Sequence, residues 1–117
     1  MARLGVGRGA REVGLPAYVV VRAEVTDPER FRHYHQLASA SVEKFGGRFL
    51  VRGGSMVVLE GSWDSPRMVV VEFPSLEKAT SWYRSPDYQR AIEARRGAAI
   101  FHMVALEGNT TELGPAR

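Results

Sequence analysis

A few ionisable side chains lie within segments that otherwise have the pattern of apolar strands, and they define the chemistry this chain could perform. Arg52 directly precedes a Gly-Gly pair, and its guanidinium could hold a carboxylate or an enolate through two parallel hydrogen bonds. Glu24 and Glu72 could act as general acid or base if a pocket removed them from water. His102 is the single histidine on a predicted strand, and an imidazole ordinarily titrates near neutral pH.

Three aromatic residues, Tyr18, Tyr34 and Trp82, complete the candidate site. Tyr34 lies on the apolar stripe of the first predicted helix, where it could orient a ligand, and Trp82 lies in the second predicted helix. The alternative for Tyr34 is packing in the core, and packing in the core or in a dimer also explains Trp82 well. The sequence therefore predicts catalytic roles for Glu24, Glu72 and His102, and ligand-binding roles for Arg52, Tyr34, Tyr18 and Trp82.

The charged candidates also have a purely structural interpretation. Arg52 could form an ion pair with Glu24 or Glu72 across the sheet, and the two carboxylates could instead pair with Arg22 or Arg52. If all of these charges were closed into ion pairs with no cavity beside them, the ligand-binding hypotheses would fail.

The other two histidines are not expected to form a site. His33 and His35 are two positions apart on the first predicted helix, so they point in different directions and cannot share one metal ion. We expect both on a solvated face.

Several classes of chemistry are disfavoured by what the sequence lacks. It has no cysteine, which excludes a thiol nucleophile, a disulfide framework and a Cys-ligated metal. It also lacks a Ser-His-Asp order, a His-Glu-x-x-His motif and a dinucleotide glycine fingerprint. Gly53-Gly54 joins two predicted strands, whereas phosphate-binding glycine loops lead into a helix. We therefore expect no cofactor and no metal.

The net charge of +3 does not indicate a nucleic-acid partner. The span 16–114 contains ten arginines and two lysines against twelve acidic residues, so the surplus belongs to the two ends of the chain. A neutral body offers no basic stripe to neutralise phosphates. No apolar run approaches the ~20 residues that cross a bilayer, so we expect no membrane partner and a cytoplasmic location.

The apolar periodicity predicts one ferredoxin-like domain. We expect a flexible N-terminal extension over 1–15, the domain over 16–108, and a C-terminal tail over 109–117. Within the domain we expect an antiparallel sheet with two helices on one face. The predicted strands are 17–25, 48–52, 55–60 (returning from a Gly53-Gly54 hairpin), 67–73 and 98–107. The first helix begins at Asp27-Pro28, and the second is interrupted at Ser85-Pro86.

The face of the sheet turned away from the helices is predicted to be mostly apolar. We refer to it as the open face; the residues assigned to it are Tyr18, Val20, Arg22, Glu24, Met68, Val70, Glu72, Ile100, His102, Val104 and Leu106. Monomers rarely expose so large an apolar patch, so we expect a second copy to cover it in a homodimer, with a small-molecule pocket that holds the charged groups.

Several motifs resemble one bacterial family. They are Val25-Thr26-Asp27-Pro28, the run from Gly46-Gly47-Arg48 to Arg52-Gly53-Gly54, Glu60-Gly61, Val71-Glu72-Phe73-Pro74-Ser75, the run from Tyr83-Arg84-Ser85 to Tyr88-Gln89, and Glu107-Gly108. Together they resemble the domain-of-unknown-function family 1330 over roughly residues 16–108. Members of that family usually begin near Pro16, so we expect the native start close to Leu15.

The resemblance implies the dimeric α+β barrel superfamily. Its members include small cofactor-independent monooxygenases, muconolactone-type isomerases and haem-handling proteins, so fold analogy leaves the reaction open. We expect a small-molecule-binding dimer, either a cofactor-independent isomerase or monooxygenase on a small oxygenated organic substrate, or a non-catalytic ligand-binding or structural module.

Overall fold

The computed structural model describes residues 14–64 and 67–109. Its elements, in chain order, are β1 (Ala17–Val25), α1 (Pro28–Lys44), β2 (Arg48–Arg52), β3 (Arg67–Phe73), α2 (Leu76–Arg84), α3 (Pro86–Ala94) and β4 (Ala99–Glu107). Residues 1–13 and 110–117 lie outside the described residues, so the terminal extension, the tail and the domain limits stay predictions.

The helices α1 and α3 begin at side-chain caps that the sequence indicated. Asp27 accepts a hydrogen bond from the Arg30 backbone N–H (3.2 Å), and Pro28 occupies the first turn of α1. Ser85 separates α2 from α3, because its hydroxyl accepts from the Tyr88 N–H (3.1 Å) and donates to the Trp82 carbonyl (2.7 Å). The predicted interruption of the second helix is confirmed, and it produces a third helix.

The four strands form one antiparallel sheet in the order β2-β3-β1-β4. The helices cover one face, and the sheet's part of the core consists of Ala17, Val19, Val21 and Ala23 of β1 and of Val71 and Phe73. These side chains pack against Tyr34 and Val42 of α1, Trp82 of α2 and Tyr88 of α3. This is the predicted ferredoxin-like α+β sandwich.

The strand register confirms the membership of the open face. Val20 lies opposite both Val70 and Val104, and Tyr18 lies opposite Glu72 and Leu106. Several apolar side chains on this face remain about half exposed, including Ile100, Val104 and Leu106 (54–55%).

A bulge in β2 decides which face Arg52 occupies. Phe49 pairs with Val71, but Val51 pairs with Val70 and Arg52 with Val69, so the register shifts by one residue at Leu50. Arg52 consequently shares the helix-facing side with Phe49 instead of alternating away from it. The alternating pattern of β2 left this orientation open.

The predicted strand over 55–60 is wrong. The chain turns at Gly53 (φ 74°), whose N–H bonds the Met68 carbonyl (2.8 Å), and then leaves the sheet. Residues 55–60 have no partner strand within the described chain, so their β-forming side chains stay outside the sheet. Across residues 14–64 and 67–109, none of the helices has both the length and the apolar character that a bilayer crossing needs.

Candidate functional site

A narrow cleft lies between α1 and the helix-facing side of the sheet. We call it the α1 cleft; its free volume is about 30 Å³. The walls are mainly apolar and aromatic, and its polar groups come from His35 of α1, Arg52 at the end of β2 and Arg67 at the start of β3. Two strand ends and one helix therefore bring three basic side chains to one place.

Two groups hold the Arg52 side chain in place, and neither of them is a carboxylate. Its Nη2 donates a hydrogen bond to the Ser39 hydroxyl, and its Cζ lies 3.7 Å from the centre of the Phe49 ring. Ser39 in turn donates to the His35 carbonyl (2.7 Å), which ties the contact to the α1 backbone. A guanidinium has five N–H donors, so most of those of Arg52 stay available to a ligand.

Arg67 approaches the backbone of the turn between β2 and β3. Its Cζ lies 5.7 Å from the centre of the Phe31 ring, and its buried Nε has no hydrogen-bond partner in the described chain. A Cβ at Gly53 would overlap the Arg67 guanidinium, so both the positive φ and the close approach require glycine there. An unsatisfied buried donor of this kind is uncommon in a folded protein.

The electrostatics of the cleft are those of an anion site. Burial and the neighbouring charge of Arg67 lower the pKa of Arg52, which still remains cationic. Burial, followed by the charges of Arg52 and Arg67, lowers the pKa of His35, so its imidazole is neutral at pH 7. Among the described residues, no acidic side chain forms an ion pair with either arginine.

Tyr34 and Trp82 line the cleft with their rings, while their polar atoms are used elsewhere. The Tyr34 hydroxyl lies 2.7 Å from the Tyr88 hydroxyl, and burial raises the pKa of Tyr34 well above its usual value. Trp82 Nε1 donates to the buried Ser41 hydroxyl (2.9 Å). In this structure both residues shape the cavity and neither offers a free polar group to it.

The remaining predicted site residues lie on the open face. Glu72 forms an ion pair with Arg48 (2.7 Å), and the Tyr18 hydroxyl donates to the same carboxylate (3.4 Å). Glu24 and His102 are exposed. The sheet thus separates these four residues from Arg52, Tyr34 and Trp82, and Glu72 pairs with neither Arg22 nor Arg52.

Sequence reasoning missed His35 and Arg67. His35 was expected on a solvated face, but its spacing from Phe31, Ala38 and Val42 (four, three and seven residues) places it at the edge of the apolar stripe that faces the sheet. Arg67 alternates with Val69 and Val71, which gives the same orientation. Both signals were present, whereas the bulge that turns Arg52 towards them was not visible.

No metal site accompanies this arrangement within the described part of the chain, where no group of three or more histidine and acidic residues is close enough to hold an ion. The cleft contains a single imidazole and no carboxylate, a donor set suited to anions.

The sheet order and the helices on one face define a ferredoxin-like α+β protein. The chain belongs to the family described as Domain of unknown function (DUF1330), whose profile matches residues 16–109. The resemblance seen in the sequence motifs is confirmed. No curated protein matches the chain.

Solved structures share the fold at low sequence identity. A protein of unknown function from Rhodopseudomonas palustris is 19% identical over 82% of this chain and 84% of that one, with a TM-score of 0.66. The cofactor-independent oxygenase SnoaB from Streptomyces nogalater is 15% identical over 87% and 100%, with a TM-score of 0.56. A possible oxidoreductase from Bacteroides thetaiotaomicron is 9% identical over 81% and 99%, with a TM-score of 0.54. At these identities the likeness establishes the fold alone.

Proposed function

We propose that the protein binds a small oxygenated organic anion in the α1 cleft and that Arg52 holds its negatively charged oxygen. The observation that carries the proposal is the convergence of two guanidinium groups on an apolar cleft, with no described carboxylate to neutralise them. Two partly buried guanidinium groups that repel each other without a counter-charge are unfavourable, and an anionic ligand would relieve that repulsion.

The size of the cleft limits what it admits. A free volume of about 30 Å³ holds roughly two water molecules, which suits a carboxylate or enolate head group. The body of a larger ligand would extend out of the cleft or displace the Arg52 side chain from Ser39. The aromatic wall favours an organic ligand over an inorganic ion.

We further propose a cofactor-independent isomerase or monooxygenase as the activity. The fold shared with SnoaB, a cofactor-independent oxygenase, supports this class by analogy. Within the cleft the neutral imidazole of His35 is the group able to accept a proton beside an oxyanion held by Arg52. Glu24, Glu72 and His102 keep a proposed catalytic role only towards a molecule bound at the open face.

A second candidate is a non-catalytic ligand-binding or structural dimer. The closed contact among Arg48, Glu72 and Tyr18 favours a structural role for those residues. In either function we propose a homodimer in which a second copy covers the open face, because that face exposes several half-buried apolar side chains.

The test is a thermal-shift screen with small organic acids on wild type and Arg52→Gln. Wild type should gain several degrees with the best ligand, because binding to the native state alone raises Tm. Arg52→Gln should lose most of that gain. Arg96→Gln, which removes an exposed arginine paired with Glu93, is the matched control and should respond as wild type does. An Arg52→Gln variant that keeps the full shift with every ligand would show that Arg52 is not the anchor.

A further inference from the structure

Residues 54–64 form an extended arm between β2 and β3. Within the described chain no backbone group of this arm forms a hydrogen bond. Its large apolar side chains face solvent, with Leu59 92%, Val57 79% and Trp63 54% exposed. A solvent-exposed run of this kind is unusual on a protein that stays monomeric.

The composition of the arm is that of a strand. Met56, Val57, Val58 and Leu59 are consecutive apolar residues, two of them β-branched, which is the pattern of a buried strand. An unpaired strand also presents a row of free N–H and C=O groups to any chain that can pair with it. The arm therefore has the side chains and the backbone of an interface but no partner in its own chain.

The arm adjoins the open face at Met68. The groove of about 450 Å³ along the arm is lined by arm residues and by Met68 of the open face. A surface that packs on this edge of the open face would therefore meet the arm as well.

The exposed apolar area of this patch fits a protein partner. The large side chains Val51 (which pairs with Val70), Ile100, Val104 and Leu106 of the sheet present on the order of 350 Å², and the arm's Met56, Val57, Val58, Leu59 and Trp63 add on the order of 600 Å², so these apolar side chains alone reach the ~800 Å² that each partner contributes to a stable interface. The arm supplies the larger share of this apolar area.

Charge is compatible with a second copy of this chain. The ionisable residues of the arm are both acidic, Glu60 and Asp64, and the open face carries Arg22 beside the exposed Glu24, neither of them in an ion pair among the described residues. A two-fold interface, in which the same patch meets itself, could pair Arg22 with an acidic residue of the partner's arm.

We propose that the arm of one chain packs on the open face of a second copy, and that the reciprocal contact completes the homodimer. This inference rests on the homodimer proposed above and adds a segment to its interface. The arm follows Arg52 and precedes Arg67 along the chain, so its docking site lies next to two of the basic residues of the α1 cleft.

Sedimentation equilibrium on charge-insertion variants tests the arm. Leu59→Asp and Val104→Asp should each raise the dimer dissociation constant at least tenfold, because each places a carboxylate in the interface. Leu76→Asp alters a 37% exposed leucine on α2, away from both surfaces, and should stay within twofold of wild type. Leu59 makes little contact in its own chain, so far-UV circular dichroism should show the variant folded.

A second readout follows the arm itself. The emission of Trp63, obtained as the difference between wild type and Trp63→Phe, should shift to shorter wavelength as the protein is concentrated, and Leu59→Asp should abolish the shift. If Val104→Asp weakens the dimer and Leu59→Asp does not, the homodimer stands and the role of the arm is overturned. A wild type that is monomeric at all concentrations, with Trp63 exposed, overturns both.

Discussion

At the residue scale, the groups in contact with a charged side chain decide whether it can bind a ligand, more than its residue type does. Glu72 and Arg52 both lie in strands and both were candidates for chemistry. Glu72 is neutralised by Arg48, whereas Arg52 contacts a hydroxyl and an aromatic ring that leave its charge uncompensated. Arg52, whose charge is not neutralised, is therefore the residue of the two that an anionic ligand would stabilise.

The lowered pKa of His35 predicts an acid-dependent loss of stability. The unfolded chain binds a proton near the ordinary pKa of histidine, about 6.5, while the folded chain resists it until lower pH. Below that pKa the unfolded state therefore holds more protons, and stability falls as pH falls. From pH 7 to 5, His35→Gln should lose less in Tm than wild type.

The control for this measurement is His33→Gln, which alters an exposed histidine on the same helix that does not line the cleft. It should follow the wild-type profile. Equal slopes for His35→Gln and wild type would contradict the assignment of His35 to a cationic cleft.

At the element scale, one serine joins two helices. Ser85 is buried, caps α3 through the Tyr88 N–H, and donates to the last turn of α2. A cap that satisfies both helix ends fixes the angle between them, and with it the positions of Trp82 and Tyr88 against the core.

We expect Ser85→Ala to destabilise the protein by about 1–3 kcal/mol, because it leaves the Tyr88 N–H and the Trp82 carbonyl without their hydroxyl partner. Urea unfolding measures the change. Ser81→Ala removes an exposed hydroxyl from the middle of α2 and should stay within about 0.5 kcal/mol of wild type. A Ser85→Ala variant as stable as Ser81→Ala would mean that the cap contributes nothing.

The elements were predictable where the local pattern is regular. The alternation in β1 and the caps at Asp27 and Ser85 are local signals, and the structure follows them. The orientation of Arg52 depends on a bulge at Leu50, and a strictly alternating pattern of side chains cannot reveal such a shift in strand register. The predicted strand over 55–60 has the right composition, but a strand also needs a neighbour, which composition cannot supply.

At the scale of the whole molecule, the sheet is apolar on both faces although helices cover only one. The helix-facing side forms the core, and the other side, with the arm, keeps large apolar side chains in water. Burial of apolar surface is the main favourable term in both folding and association. Covering the open face and the arm would therefore lower the free energy in the same way as covering the other face with helices does. The proposed second copy would cover the remaining apolar surface without any further sequence feature.

The arm also connects the proposed interface to the proposed cleft, since it follows Arg52 and precedes Arg67 along the chain. Docking of the arm would restrict the chain beside the two arginines and so favour the arrangement that holds the ligand. The ligand should therefore bind more tightly to the dimer. By linkage, the ligand should stabilise the dimer to the same degree.

We therefore expect Leu59→Asp, which leaves every residue of the cleft unchanged, to weaken binding of the best organic acid from the screen by roughly fivefold or more. Isothermal titration with dimeric wild type and monomeric Leu59→Asp measures this, with Leu76→Asp as the control that keeps both the dimer and the affinity. The reciprocal experiment adds saturating ligand to wild type near its dimer dissociation constant, where the dimer fraction should rise. Equal affinity in the monomer and the dimer would separate the two sites and leave the arm with a role in assembly alone.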